Sequence, residues 1–114
     1  MDRLSEVAKF VDDVAAATKW YAAILGRQPS DEVDGMSEFH LDGTILRLHK
    51  KYVPGEGELP PENHIAFTVA NLDQRCEQLR QEGLGVEVPP RDFPWGRSAY
   101  LRDRDGEVVE LHEV

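Results

Sequence analysis

Cysteine occurs once in these 114 residues, as Cys76, so the chain cannot form an intrachain disulfide or assemble a thiolate metal site of its own. Its place on the stripe Leu72, Cys76, Leu79 predicts a buried, inert thiol. Basic side chains are also scarce. Thirteen of them against 22 acidic ones leave a formal net charge of −9, which repels polyanions before any local contact forms and argues against nucleic acid as a partner. No stretch approaches the roughly 20 apolar residues that cross a bilayer. The opening MDRLSEVAKFVDD carries charges every few residues in place of a signal peptide's apolar core. The expectation is a cytoplasmic protein with no membrane partner. The rest is ordinary for a folded chain: 40% hydrophobic and 31% charged residues, in a length that fits one domain with a single shared core.

Along the chain the hydrophobic period changes in a fixed order. Glu6 to Val11 reads as a strand. Asp12-Asp13 then offers a helix cap ahead of the stripe Val14, Ala17, Tyr21, Ile24, which Gly26 closes. Strands follow at Gln28 to Val33, Met36 to Leu41 and Thr44 to Tyr52, separated by the hairpin signals Asp34-Gly35 and Asp42-Gly43. Residues 53–63, VPGEGELPPEN, have no periodicity and read as a linker or loop. The same order then returns: a strand from His64 to Val69, a helix capped by Asn71 and closed by Gly83, a strand near Val86, and two more at Ser98 to Leu101 and Glu107 to Glu113. The duplication is visible in the letters as well, since EVAKFVDDV (6–14) aligns with HIAFTVANL (64–72) and DGTILRLH (42–49) with DGEVVELH (105–112). The expected fold is therefore α+β: two βαβββ modules, about 5–52 and 64–114, joined by the linker 53–63.

The repeat also assigns faces, because strand residues two apart point to the same side. Leu46 and Leu48, Val109 and Leu111, and Ile65, Phe67 and Val69 make apolar faces that must meet a helix. Arg47, Glu110 and His64 then lie on the opposite face, with Glu6 at the place equivalent to His64. His49 and His112 share the face of Arg47 and Glu110 near strand ends, whereas His40 in a hairpin strand reads as exposed. The segment PPRDFPWG places Phe93 and Trp95 on what reads as a Pro-rich loop, where rings can close over a flat or apolar ligand or seal a subunit interface.

On these residues the chain resembles the vicinal oxygen chelate superfamily, the glyoxalase, bleomycin-resistance and extradiol-dioxygenase group. WYAAILG (20–26) is similar to that family's Phe-Tyr-x-x-x-Leu-Gly helix end. NHIAFTVANLD (63–73) is similar to its second-module opening, and PWGRSAYLRDRDGEVVELHE (94–113) to its Gly-Arg, Asp-Pro-Asp-Gly and terminal Glu-Leu pattern. The resemblance implies that the two modules join into a cupped mixed sheet with the helices on its outer face. It also implies that the positions of Glu6, Arg47, His64 and Glu110 correspond to the four ligand positions of metal-dependent members. Glu6, His64 and Glu110 suit a divalent transition metal. Arg47 does not, because a guanidinium has no lone pair, and at about 4 Å it would repel a divalent ion by about 8 kcal/mol at an effective dielectric of 20.

The leading expectation is a small-molecule binding or sequestering protein like the metal-free bleomycin-resistance proteins. It needs no cofactor, and Arg47, His64, Glu110, Glu6, Trp95 and Phe93 contact the ligand. Glu110 and His64 are the candidates for any acid–base role. The alternative is a metal-dependent lyase, isomerase or dioxygenase of the glyoxalase type with Glu6, His64 and Glu110 as ligands. The resemblance further implies a homodimer, since a module with its helix on one face leaves the other face and a sheet edge to be covered. Light scattering at micromolar concentration should return the mass of a dimer, and a monomer that binds its ligand would remove this expectation.

Overall fold

The computed structural model describes residues 2–56 and 58–114. It divides into two units, residues 6–63 and residues 64–114 with 2–5. Each carries one βαβββ module, so the fold class is the expected α+β.

In the first unit the elements are β1 (Arg3–Val11, whose residues 6–11 belong here), α1 (Val14–Leu25), β2 (Asp31–Val33), β3 (Met36–Leu41) and β4 (Thr44–Lys50). The strands lie in the order β2-β3-β4-β1, with β1 parallel to β4 and the other pairs antiparallel. Helix α1 begins where expected, because the Asp13 carboxylate accepts the Ala16 N–H at 3.0 Å and Gly26 closes the other end in the left-handed conformation. Its inward stripe differs from the sequence reading. Ile24 is 60% exposed, and Thr18 is buried in its place. The Thr18 hydroxyl bonds the Val14 carbonyl at 2.6 Å and Ser37 Oγ of β3 at 2.7 Å, so a satisfied polar pair holds the helix to the sheet. Ser37 pairs with Leu48, and Phe39 with Leu46, which makes Phe39 and Leu48, both fully buried, the centre of the helix-facing side.

The second unit contains β5 (His64–Val69), α2 (Leu72–Gln81), β6 (Val86–Phe93), β7 (Gly96–Arg102) and β8 (Val108–Glu113), with the strands in the order β5-β8-β7-β6. Strand β5 is parallel to β8, and the remaining pairs are antiparallel. Val69, Leu72, Cys76, Ala99, Leu101 and Leu111 form its core under α2. Cys76 is a buried free thiol whose pKa burial pushes up, in keeping with an inert role.

Several boundaries move. The strands expected at Gln28 to Val33 and Thr44 to Tyr52 are shorter, and the strand expected near Val86 runs on through Pro89 and Pro90 to Phe93. The Pro-rich stretch is therefore an edge strand and a two-residue turn, not a loop. It tolerates two prolines because β6 has only one partner strand, and its register slips between Val86 and Arg91, where a missing N–H costs least. Asn71 stands at the start of α2 but does not cap it. Its backbone is left-handed (φ 51°), and the Leu72 N–H donates instead to Glu113 Oε2 at 3.0 Å. Among the described residues no helix is long and apolar enough to cross a membrane.

The borrowed cap is testable by urea unfolding. Glu113→Ala should cost about 1 kcal/mol, the usual loss for an N-terminal cap. Asn71→Gly should cost nothing, because glycine accepts a positive φ without strain.

Candidate functional site

In both units the face opposite the helix carries the polar groups that the repeat assigns to it. In the first unit Glu38 pairs with Arg47 across β3 and β4, and Ala8 of β1 flanks Arg47 on the other side. The guanidinium is fully engaged. Nη1 lies 2.7 Å from Glu6 Oε1, while Nε and Nη2 each lie 2.7 Å from Glu38 Oε2. Glu38 Oε1 in turn lies 3.0 Å from His40 Nε2. Burial alone would raise the Glu38 pKa, but hydrogen bonds from His40 and Arg47 together with their charges outweigh it and hold the carboxyl below its ordinary value. Glu38 was missed in the sequence because hydrophobic alternation in MSEFHL does not distinguish a buried paired carboxylate from an exposed one. The only signal was its cross-strand position opposite Arg47. His49 takes a structural part: Nδ1 bonds the Lys50 carbonyl at 2.6 Å and the ring packs on Phe10 and Tyr52.

In the second unit the alignments His64 with Val108, Ala66 with Glu110 and Tyr100 with Glu110 bring His64, Glu110 and Tyr100 to one face. Glu110 is only 6% exposed, and both of its oxygens are used. His64 Nε2 lies 3.2 Å from Oε1, and the hydroxyl of the fully buried Ser98 donates to Oε2 at 2.8 Å. Burial pushes the Glu110 pKa up, but the bonds from His64 and Ser98 and the charges of His64 and His112 bring it below the ordinary value. An ionised carboxylate only accepts, so His64 Nε2 carries a proton. Ser98 has one proton and gives it to Glu110, so the 2.9 Å bond between Ser98 Oγ and His112 Nδ1 is donated by His112. Gly96 completes this end. At φ 131° it takes a conformation that side chains rarely adopt, and a Cβ there would come 2.7 Å from His112 Cε1.

The polar chain continues into rings. His64 meets Tyr100 edge-on at 6.2 Å, Tyr100 meets Phe93 edge-on at 5.9 Å, and Phe93 stacks on Trp95 at 4.6 Å and 8°. The Arg91 guanidinium lies 4.6 Å from the Phe93 ring centre. Trp95 is 55% exposed. Of the residues singled out from sequence, the structure joins Glu6 to Arg47, and it joins His64, Glu110, Phe93 and Trp95 through Tyr100. Ser98, which completes the second group, was not singled out because it sits inside an otherwise ordinary strand.

Comparison with known proteins agrees with this architecture. The model of the Glyoxalase/Bleomycin resistance protein/Dioxygenase superfamily matches residues 3–111. The metallothiol transferase FosB of Staphylococcus haemolyticus is 28% identical over 113 residues, which cover 96% of this chain and 81% of that protein. Biphenyl-2,3-diol 1,2-dioxygenase 3 of Rhodococcus globerulus is 31% identical over 118 residues, covering 96% of this chain and 62% of that protein. Among solved structures, Streptomyces coelicolor methylmalonyl-CoA epimerase in complex with 2-nitronate-propionyl-CoA superposes with a TM-score of 0.73 at 22% identity, over 97% of this chain and 93% of that one. At that identity the likeness concerns the fold alone.

The Glu110 network has a pH signature. A carboxyl whose pKa is lower folded than unfolded binds fewer protons when folded. Its stabilisation is therefore complete above the ordinary carboxylate range and is lost as pH falls through the folded value. Below about pH 4.5 the wild type should lose stability more steeply than Glu110→Gln in urea titrations at a series of pH values. At pH 7, Ser98→Ala should cost about 1–3 kcal/mol, because it leaves a buried carboxylate oxygen and an imidazole N–H unpaired.

Proposed function

The chain belongs to the glyoxalase/bleomycin resistance protein/dioxygenase superfamily, and from that premise we propose that it binds a planar, neutral or cationic small molecule on the polar face of its second unit. The observation that carries this reading is the unbroken series from the buried Glu110–His64 pair through Tyr100 to the stacked, half-exposed Phe93 and Trp95. A buried charged network costs stability relative to apolar packing, so its retention beside an exposed aromatic stack favours recognition. The rings offer a flat surface for an aromatic or apolar group. The ionised Glu110 accepts only, so it selects a ligand that presents an O–H or N–H donor.

Two features favour binding over proton-transfer catalysis. Glu110 is held below the ordinary carboxylate range, whereas an efficient general base has a pKa near the working pH. Arg47, expected to contact the ligand, is paired within its own unit with Glu6 and Glu38, so it has little net positive charge to offer an anion.

The metal-dependent alternative draws support from relatives such as the metallothiol transferase FosB. It would use His64 and Glu110. Arg47, at the fourth corresponding position, has no lone pair to add to such a set.

A thermal-shift screen of planar amines and phenols tests the proposal. A ligand at 100 times its dissociation constant adds about 2.7 kcal/mol of stability, and that gain should disappear in Trp95→Ala and in Glu110→Gln. Addition of Mn, Ni, Zn or Fe should produce no upward shift that His64→Ala abolishes; such a shift would replace the proposal with the metal-dependent reading.

A further inference from the structure

A second group of side chains lies outside this face of the second unit and plays no part in the proposed binding. Asp31 on β2, Glu38 on β3 and His40 on β3 each offer a ligand atom, and these atoms lie within 4.8 Å of one another. We propose that these three residues form a binding site for a divalent transition-metal ion.

Backbone register builds the site. Asp31 is paired directly with Glu38 across the β2–β3 hairpin, and His40 follows Glu38 by two residues, so all three project from one face of the hairpin. The His40 backbone is pinned on both sides: its N–H donates to Ser30 Oγ at 2.9 Å, and its carbonyl accepts from Arg27 at 2.9 Å. His40 Nε2 lies 3.0 Å from Glu38 Oε1 and 3.3 Å from Asp31 Oδ2. Nitrogen and oxygen ligands about 2.0–2.2 Å from a tetrahedral ion are separated from each other by roughly 3.3–3.6 Å. Small adjustments of two exposed side chains therefore reach ligation geometry.

Charge points the same way. Arg47 pairs with Glu6 and Glu38, and Asp31 joins the same connected group through His40. The three carboxylates and the one guanidinium sum to a formal charge of −2, which one divalent ion cancels. One imidazole and two carboxylates suit Zn, Ni or Cu better than Mg or Ca, which take oxygen ligands. Arg47 stays on Glu38 Oε2 and leaves Oε1 for the ion, so it would orient that carboxylate as outer partners of metal ligands do. The ion would also clip β2, an edge strand of only three residues, onto β3.

Isothermal titration of Zn(II) into the chelator-stripped full chain decides the matter, with circular dichroism confirming that each variant is folded. One equivalent should bind the wild type, weaken at least about tenfold in His40→Ala and in Asp31→Asn, and persist unchanged in His64→Ala. Two equivalents, one lost in His40→Ala and the other in His64→Ala, would uphold this site and separately revive the metal-dependent reading of the other unit. No binding, or a single equivalent lost in His64→Ala but kept in His40→Ala, would overturn the inference. Broadening of the His40 ring resonances by Ni(II), absent in Asp31→Asn, is the direct structural readout.

Discussion

The four strands of each unit have a helix on one side only, and most of the chain's chemistry follows from that asymmetry. Strand side chains alternate, so covering one face with α1 or α2 commits Leu48, Phe39, Ala99 and Leu111 to the core. It sends Arg47, Glu38, His64, Glu110 and His112 to the other face. A slip of one residue would bury five ionisable groups against a helix and expose the core, at a cost no domain of this size could absorb. The register is held firmly, and the polar network inherits that firmness.

The two polar groups solve the same problem with different chemistry. In the first unit a permanent cation satisfies two carboxylates, and the ion pairs themselves hold the arrangement. In the second unit a carboxylate is satisfied by an imidazole and a hydroxyl, with His112 completing the chain of donors behind Ser98. The first arrangement centres on a guanidinium that keeps its charge at any ordinary pH, with the His40 imidazole at its edge on Glu38. The second includes two imidazoles, whose protonation states bear on every bond in the chain.

Much of the molecule was legible in its letters. The duplication was read from EVAKFVDDV against HIAFTVANL, and the faces followed from alternation alone, because both are repetitive signals spread over many residues. What escaped was local and depended on partners far along the chain. Asn71 occupies the expected cap position, yet the cap is supplied by Glu113, 41 residues distant in number from Leu72. Pro89 and Pro90 argued for a loop, but a strand at a sheet edge can spare the bonds they lack. Glu38 and Ser98 looked like routine strand residues, and only pairing across the sheet shows that Arg47 and Glu110 depend on them. Ile24 continued a helical stripe that extends beyond the sheet it was assumed to cover.

The double ion pair at Arg47 also bears on how such a fold changes its trade over evolutionary time. Arg47 is the cation that pairs with both Glu6 and Glu38. Replacing it with a short neutral or imidazole side chain would take the guanidinium from two carboxylates at once, making an already acidic cluster more strongly anionic without altering any backbone hydrogen bond. The reverse step, arginine arriving between two acids, offsets part of that charge equally abruptly. A lineage can therefore pass between weakly and strongly anionic versions of this scaffold through a single position, while the strands that carry it stay as they are.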